Sequence, residues 1–252
     1  MLNIVIPMAG AGSRFANAGF LDPKPLIPIH GVPMIRMVIS NLTPSCNHRF
    51  IFITQKKYAQ DYHLKENLSK WAPSSEVIEL DGITSGAACT VLAAKEFINS
   101  DDPLMIANSD QFIDLNINHY LNFAKENCLD GLIMTMKACD AKWSYVGLDS
   151  KNLVTNVVEK QVISNEATVG IYNFSRGLDF INAAELMIEN NERVNGEFYV
   201  APVYNQLIRN SKKIGIYNIG AENNGMYGLG IPSDLELFLN NALSLSTATS
   251  LK

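Results

Sequence analysis

"MAGAGSRF", residues 8 to 15, follows directly on the apolar run "LNIVIP" (2 to 7), and "DPKPLIPIHGVPMI" (22 to 35) comes soon after. The run is rich in Ile and Val and reads as a buried strand, so residues 8 to 25 are the first connection of the fold. In open α/β sheets ligands sit beyond the carboxyl ends of strands, which makes this connection a place for a site. Gly10 and Gly12 permit positive φ and close backbone approach, so successive N–H groups, with Ala9 and Ser13 in the same loop, can reach phosphate oxygens unhindered. Arg14 and Lys24 add mobile positive charge. Pro23 and Pro25 flank the lysine and reduce the freedom it loses when held against a ligand. The stretch reads as a receiver for a polyphosphate.

Common nucleotide motifs do not fit it. A dinucleotide fingerprint requires a third glycine where Phe15 stands, and a P-loop requires Gly-Lys-Ser/Thr, which is absent. A dehydrogenase would also place an acidic residue at the end of the next strand, where Thr54 and Gln55 stand.

The 252 residues, 47% hydrophobic and 18% charged, suit one α/β domain with an added lobe. A formal charge of −5 repels long polyanions, so nucleic acid is not an expected partner and phosphate recognition must be local. Cys46, Cys89, Cys128 and Cys139 are widely spaced, and His30, His48, His63 and His119 form no metal-binding pattern, so neither zinc nor a disulfide framework is expected. The amino terminus has no basic leader and no run of eighteen apolar residues occurs, so the expectation is a cytoplasmic protein without a membrane partner. A homo-oligomer is compatible with the sequence.

Further strands are expected at "RFIFIT" (49 to 54), "EVIEL" (76 to 80) and "PLMIAN" (103 to 108), with helices at 32 to 42, 55 to 71 and 86 to 98 between them. This alternation implies an α/β sheet wound by right-handed crossovers. After residue 128, "DGLIMTMKA", "SYVGLD", "LVTNVVEK" and "ATVGIYNF" succeed one another with little helix, which implies a mixed or antiparallel extension. Helices are expected at 175 to 190, 199 to 210 and 233 to 245, and the polar tail "SLSTATSLK" is expected to fray.

The ordered set G-x-G-S-R-F, P-K-P-L and G-x-P-M-I resembles the sugar-phosphate nucleotidyltransferase family, closely over residues 3 to 38 and more loosely over most of the chain. The resemblance implies a Rossmann-like mixed sheet flanked by helices, of the GT-A-like nucleotidyltransferase kind. It also implies a single domain over 1 to 252, with a nucleotide-binding half to residue 128 and an acceptor-binding lobe beyond. Its activity joins a nucleoside triphosphate to a phosphorylated small molecule and releases pyrophosphate. Arg14 would grip the leaving β- and γ-phosphates, and Lys24 would bridge the attacking phosphate and the α-phosphate.

Other segments carry the resemblance further. In "ELDGITSGAACTVL", Thr84, Gly86 and Ala87 match the base-recognition segment, although the stretch is also an ordinary small-residue helix start. In "IANSDQFID", Asp110 matches the magnesium-binding aspartate, and a hard dication suits one carboxylate, waters and phosphate oxygens. Asp114 competes for that role, and a loop aspartate is also a common turn residue. Gly147, Glu159, Lys160, Val169 with Gly170, and Glu197 match the acceptor side, where a carboxylate accepts from hydroxyl or amine groups and a lysine meets phosphate. Glu159 and Lys160 also read as a solvated strand end, and Glu197 as the cap of a helix near Tyr199.

One departure stands out. Many family members carry a second metal-binding aspartate in W-x-D-x-G-T, whereas this chain reads "MYGLGIPSDL", with Gly228 at that place. Asp234 reads as an early-helix residue after Ser233. Either Asp110 works with waters and phosphates alone, or a carboxylate elsewhere, such as Glu222, helps.

The start "IPMAGxGSRF" and the short length are similar to bacterial nucleotidyltransferases of capsule and surface-polysaccharide pathways, including cytidylyltransferases that activate phosphoglutamine or other small phosphates. CTP is therefore the expected donor and Mg2+ the expected cofactor. The alternatives are a thymidylyl- or uridylyltransferase acting on a hexose 1-phosphate, a GT-A glycosyltransferase, and a non-catalytic nucleotide-binding regulator. A glycosyltransferase would use a D-x-D pair, which here would be Asn108 and Asp110.

Overall fold

The computed structural model describes all 252 residues. In chain order the strands are β1 (Leu2–Pro7), β2 (Pro28–Ile29), β3 (Val32–Pro33), β4 (His48–Gln55), β5 (Glu76–Leu80), β6 (Leu104–Ala107) and β7 (Gln111–Ile113). They continue as β8 (Gly131–Lys137), β9 (Ser144–Leu148), β10 (Val154–Glu159), β11 (Glu166–Phe174), β12 (Ile214–Glu222) and β13 (Gly225–Gly228). Eleven of these form one sheet in the order β5-β4-β1-β6-β11-β8-β12-β13-β7, with β9 paired to both β10 and β11; β2 and β3 make a separate two-stranded ribbon.

β5, β4, β1 and β6 run parallel. β11 is antiparallel to both β6 and β8, which makes the sheet mixed as expected. The reason for the continuous apolar runs is visible in β1. Ile4 and Ile6 enter one buried cluster while Val5 enters the other, and the clusters are nearly equal at 29 and 27 residues, so both faces of the sheet are covered. A third cluster, containing Phe15, Ile27, Met34, Phe112, Tyr227 and Phe238, lies under the first connection.

The sequence-based helix assignments need local corrections. The expected helix over 55 to 71 is two, Lys56–Asp61 and Leu64–Trp71, because His63 turns left-handed at φ 49°. The one expected over 86 to 98 is also broken, into Ala87–Leu92 and Lys95–Ile98. Between residues 199 and 210 a 3-10 turn at Ala201–Val203 precedes the helix Tyr204–Arg209.

The tail is the largest correction. Residues 242 to 250 form a helix rather than fraying, capped by the Asn241 side chain, which accepts from the Leu243 N–H. Ala248 and Ser244 are fully buried, and Ser244 Oγ contacts His30 Nε2 at 2.9 Å. The serine and threonine hydroxyls turn back onto carbonyls three or four residues earlier, which satisfies them within the helix. No helix of the chain is long and apolar enough to cross a membrane.

Candidate functional site

The first connection is held from three sides. Met8 N–H donates to the Ile53 carbonyl at 2.8 Å, and Gln55 at the end of β4 donates its side-chain amide to the Ala9 carbonyl at 2.7 Å. Gly12, at φ 62°, precedes the short helix Ser13–Asn17, which Phe15 anchors in the third core cluster. Between these anchors the N–H groups of residues 9 to 12 have no partner within the chain. A methyl at Gly10 would meet nothing within 4 Å, so the loop is open to solvent on that side. Arg14 is exposed beside it and forms no ion pair.

Pro23 caps a 3-10 turn at Lys24–Leu26 that contains Pro25, and a methyl at Gly12 would lie 3.7 Å from Lys24 Cβ, so loop and lysine are packed together. The lysine reaches across the sheet edge: Lys24 Nζ lies 2.7 Å from Asp110 Oδ2, and both side chains are 24% exposed. Asp110 stands just past the carboxyl end of β6 and immediately before β7. The Asn41 amide holds the far end of β7 by bonding both the Ile113 carbonyl and the Ile113 N–H at 2.8 Å. The competing aspartate, Asp114, is exposed just past the far end of β7, roughly 13 Å further along an extended strand, and makes no ion pair.

Gly228 pairs with Gln111 across β13 and β7, and Leu229 N–H donates to the Asp110 carbonyl at 2.8 Å. A methyl at Gly230 would stand 2.8 Å from Asp110 Oδ2, and one at Gly228 would stand 3.1 Å from Asp234 Oδ2. The two bare positions therefore leave space that two carboxylates fill. Glu222 is engaged elsewhere, bonded to Lys142 Nζ at 2.7 Å. Burial first, then the Glu222 charge, push the Asp234 carboxyl up, against the pull of Lys142 and Arg14.

Thr84 Oγ1 donates to the Gly86 carbonyl at 2.9 Å and contacts Thr90 Oγ1 at 2.6 Å, which shapes the turn before the helix Ala87–Leu92. Gly86 has φ 131°, and a Cβ there would fall 2.5 Å from the Phe198 backbone. Phe198 N–H donates to the Ser85 carbonyl at 2.9 Å and Ala88 N–H donates to the Phe198 carbonyl at 3.0 Å, so residues 85 to 88 are zipped to the acceptor-side loop.

Ala87, Glu159, Lys160 and Val169 share a cavity of about 230 Å³, together with Lys142 and Tyr199. Glu159 is no solvated strand end: it is buried and accepts a hydrogen bond from Ser144 Oγ. Burial pushes its carboxyl up, with Ser144 and Lys160 opposing. Lys160, by contrast, is exposed; it donates to Tyr199 Oη at 2.7 Å, which holds its ammonium above the ordinary range. Glu197 caps no helix. It closes a tight turn with Val194, and its charge faces Tyr199. Gly147 is apart from the cavity; its missing side chain makes room for Asn156, whose Oδ1 would sit 2.1 Å from a Cβ there.

The larger cavity of about 770 Å³ lies elsewhere, beside Phe123, Lys151, Lys213 and Tyr217, and includes none of the expected site residues. Its one buried acid, Glu166, is fully engaged by Lys137, Thr135 and Asn218. The loop of unpartnered N–H groups and the Lys24–Asp110 pair lie apart from that cavity.

The fold is a mixed α/β sheet with an open amide loop beside the Lys24–Asp110 pair at the carboxyl end of its central strands. The chain belongs to the nucleotidyl transferase family, whose pattern matches residues 4–211. It is 26% identical over 250 residues to the bifunctional protein GlmU of Methanococcus maripaludis, covering 96% of this chain and 56% of that protein. It is 25% identical over 186 residues to the mannose-1-phosphate guanylyltransferase catalytic subunit beta of Dictyostelium discoideum, covering 69% and 50%. The chain thus spans about half the length of these relatives. Among solved structures, a nucleoside-diphosphate-sugar pyrophosphorylase from Vibrio cholerae RC9 superposes with a TM-score of 0.78 at 26% identity, over 94% of this chain and 100% of that one. A UDP-glucose pyrophosphorylase shares the fold, with a TM-score of 0.77 at 16% identity and 99% coverage of each chain.

Proposed function

We propose that this chain transfers a nucleotidyl group from a nucleoside triphosphate to a phosphorylated small metabolite and releases pyrophosphate. The observation that carries the reading is the contact between Lys24 and Asp110 beside a loop whose N–H groups at 9 to 12 lack partners. An oxygen of the acceptor phosphate attacks the α-phosphorus in line; the new P–O bond forms as the bond to the β-phosphate oxygen breaks. The acceptor is already an anion, so no protein nucleophile is required. The protein's task is to hold two mutually repelling groups together and neutralise charge on the leaving side. Arg14 and the loop amides serve the leaving phosphates, and Lys24 lies between α-phosphate and acceptor. Thr84, Gly86 and Ala87 present backbone to the base, and Glu159 and Lys160 bind the acceptor.

The residues fit magnesium. Asp110 offers a hard oxygen donor, and no group of three or more His, Cys, Asp or Glu side chains forms a protein-only cage, which suits an ion that keeps waters and phosphate oxygens. When bound, the ion supplies charge neutralisation on the phosphates. Asp110 would hold the ion, with Lys24 as its neighbour at 2.7 Å.

For the donor we favour CTP, and for the setting surface-polysaccharide precursor synthesis, on the similarity of residues 6 to 15 to capsule-pathway cytidylyltransferases. Uridylyl or thymidylyl transfer to a hexose 1-phosphate is the second reading, favoured by the solved relative named for nucleoside-diphosphate sugars. Screening CTP, UTP, GTP and dTTP against phosphorylated sugars and phosphoglutamine, with released pyrophosphate as readout, decides between them. No pyrophosphate with any pair refutes the reading.

A further inference from the structure

A cavity at the opposite end of the sheet takes no part in the proposed reaction. It lies where the central parallel strands begin: Leu2 opens β1, Asn47 precedes β4 and Pro103 precedes β6. The phosphate loop leaves the other end of β1, so the length of that strand, roughly 17 Å, separates the two places. The volume is about 400 Å³, inside the range of about 300–1,000 Å³ that small-molecule sites occupy. Leu2, Leu121, Ala124 and Leu129 wall it, all four from the first core cluster.

One wall residue breaks the apolar pattern. Side chains alternate across a strand, and along β11 Ile171 enters the first cluster while Tyr172 and Phe174 enter the second. Position 173 therefore belongs to the first face, and its partners on β6 and β8, Met105 and Leu132, both lie in that cluster. The residue there is an asparagine. It is 6% exposed, and its side-chain amide bonds to no group of the chain, Tyr204 taking only the backbone carbonyl. Packing does not seal the amide off; Asn173 lines the cavity. A buried amide without a partner costs free energy, and a ligand that bonds it recovers that cost.

The charges select the ligand. Lys125, in the last turn of the helix Ile117–Glu126, lines the same cavity, is exposed and enters no ion pair. The other cation at the rim, the amino group of Met1, is held by Asp102 at 2.8 Å, and no lining residue is acidic. We propose that this cavity is a binding site for a small apolar carboxylate. The hydrocarbon part lies against Leu121, Ala124 and Leu129, and the carboxylate accepts from the Asn173 amide with the Lys125 ammonium as its counter-charge. The site is independent of the nucleotidyl transfer reading, and its ligand carries no phosphate.

The test uses octanoate, with octanol as its uncharged counterpart, titrated calorimetrically into the full chain. Octanoate should bind about 10-fold more tightly than octanol, the worth of a hydrogen bond to a charged group, and Lys125→Gln should narrow the difference. Asn173→Leu keeps the volume and removes the amide, so it should weaken octanoate by about 10-fold or more, at a melting temperature no lower than wild type. A second readout needs no variant, because Cys46 and Cys128 line the cavity while Cys139, also exposed, lies outside it. Octanoate should slow alkylation of Cys46 and Cys128 by iodoacetamide and leave Cys139 unchanged. Octanol binding as tightly as octanoate, equal octanoate affinity in Asn173→Leu, or a lower melting temperature in that variant each overturns the proposal. So does a wild-type chain that binds no octanoate, or alkylation of Cys46 and Cys128 that octanoate does not slow. None of these outcomes bears on pyrophosphate release, which tests the transfer reading separately.

Discussion

Lys24 Nζ and Asp110 Oδ2 lie 2.7 Å apart although the residues are 86 positions distant in the chain. Each is partly shielded, so the pair is not a freely solvated surface bridge, and each has another task in the proposed reaction. Lys24→Met and Asp110→Asn should therefore leave the fold in place and reduce turnover by about 100- to 1000-fold, the usual cost of removing an electrostatic group from a charge-stabilising site. Steady-state pyrophosphate release and a thermal melt check both halves; near-normal release removes the residue concerned from the mechanism.

Gln55 acts through the backbone rather than on a ligand. Its amide fixes the Ala9 carbonyl at 2.7 Å, which sets the orientation of the neighbouring N–H groups. Gln55→Ala should weaken triphosphate binding about fivefold, corresponding to one hydrogen bond of about 1 kcal/mol, with a smaller change in turnover. Calorimetric titration with nucleotide measures it, and the same affinity in both proteins would show that the loop holds its shape unaided.

Gly86 should tolerate nothing larger. Its φ of 131° is unfavourable for any L side chain, and a methyl would stand 2.5 Å from the Phe198 N and O atoms. Gly86→Ala should cost about 2–4 kcal/mol from backbone strain and forced separation of the two loops. Urea unfolding gives the number; a loss below 1 kcal/mol would mean that the loops part easily.

Acid should loosen the molecule through Glu166. Burial alone would raise its carboxyl, but bonds from Lys137, Asn218 and Thr135 outweigh it and hold the group below its ordinary value of 4.5. A depressed carboxylate contributes stability that is present in full above the unfolded value and lost as pH falls through the folded one. Wild-type melting temperature should therefore drop below about pH 4.5, and Glu166→Gln should show a flatter acid limb with a lower plateau at neutral pH. Parallel acid limbs in the two proteins would contradict this.

The first half of the chain was the more legible part of the sequence, for a physical reason. Its strands are buried on both faces, so "LNIVIP" and "RFIFIT" carry unbroken apolar runs, and the loop chemistry between them is local. The short strand β7 was not legible, because three residues carry no periodicity and its pairing with β13 spans more than a hundred residues. The tail misled because its small polar residues look solvated, whereas serine and threonine can bond back into their own helix. Among site residues, Glu159 and Lys160 were found together, yet one is buried and one exposed, a difference that adjacency conceals. Gly147 was expected beside them and instead accommodates Asn156. Asp234 was read as an early-helix residue, and it stands in the first turn of the helix Pro232–Leu239.

The zipper between Ser85, Ala88 and Phe198 carries one further consequence. Two loops that share main-chain hydrogen bonds do not shift independently, so in the proposed reaction whatever one bound substrate does to the affinity for its co-substrate is returned in equal measure.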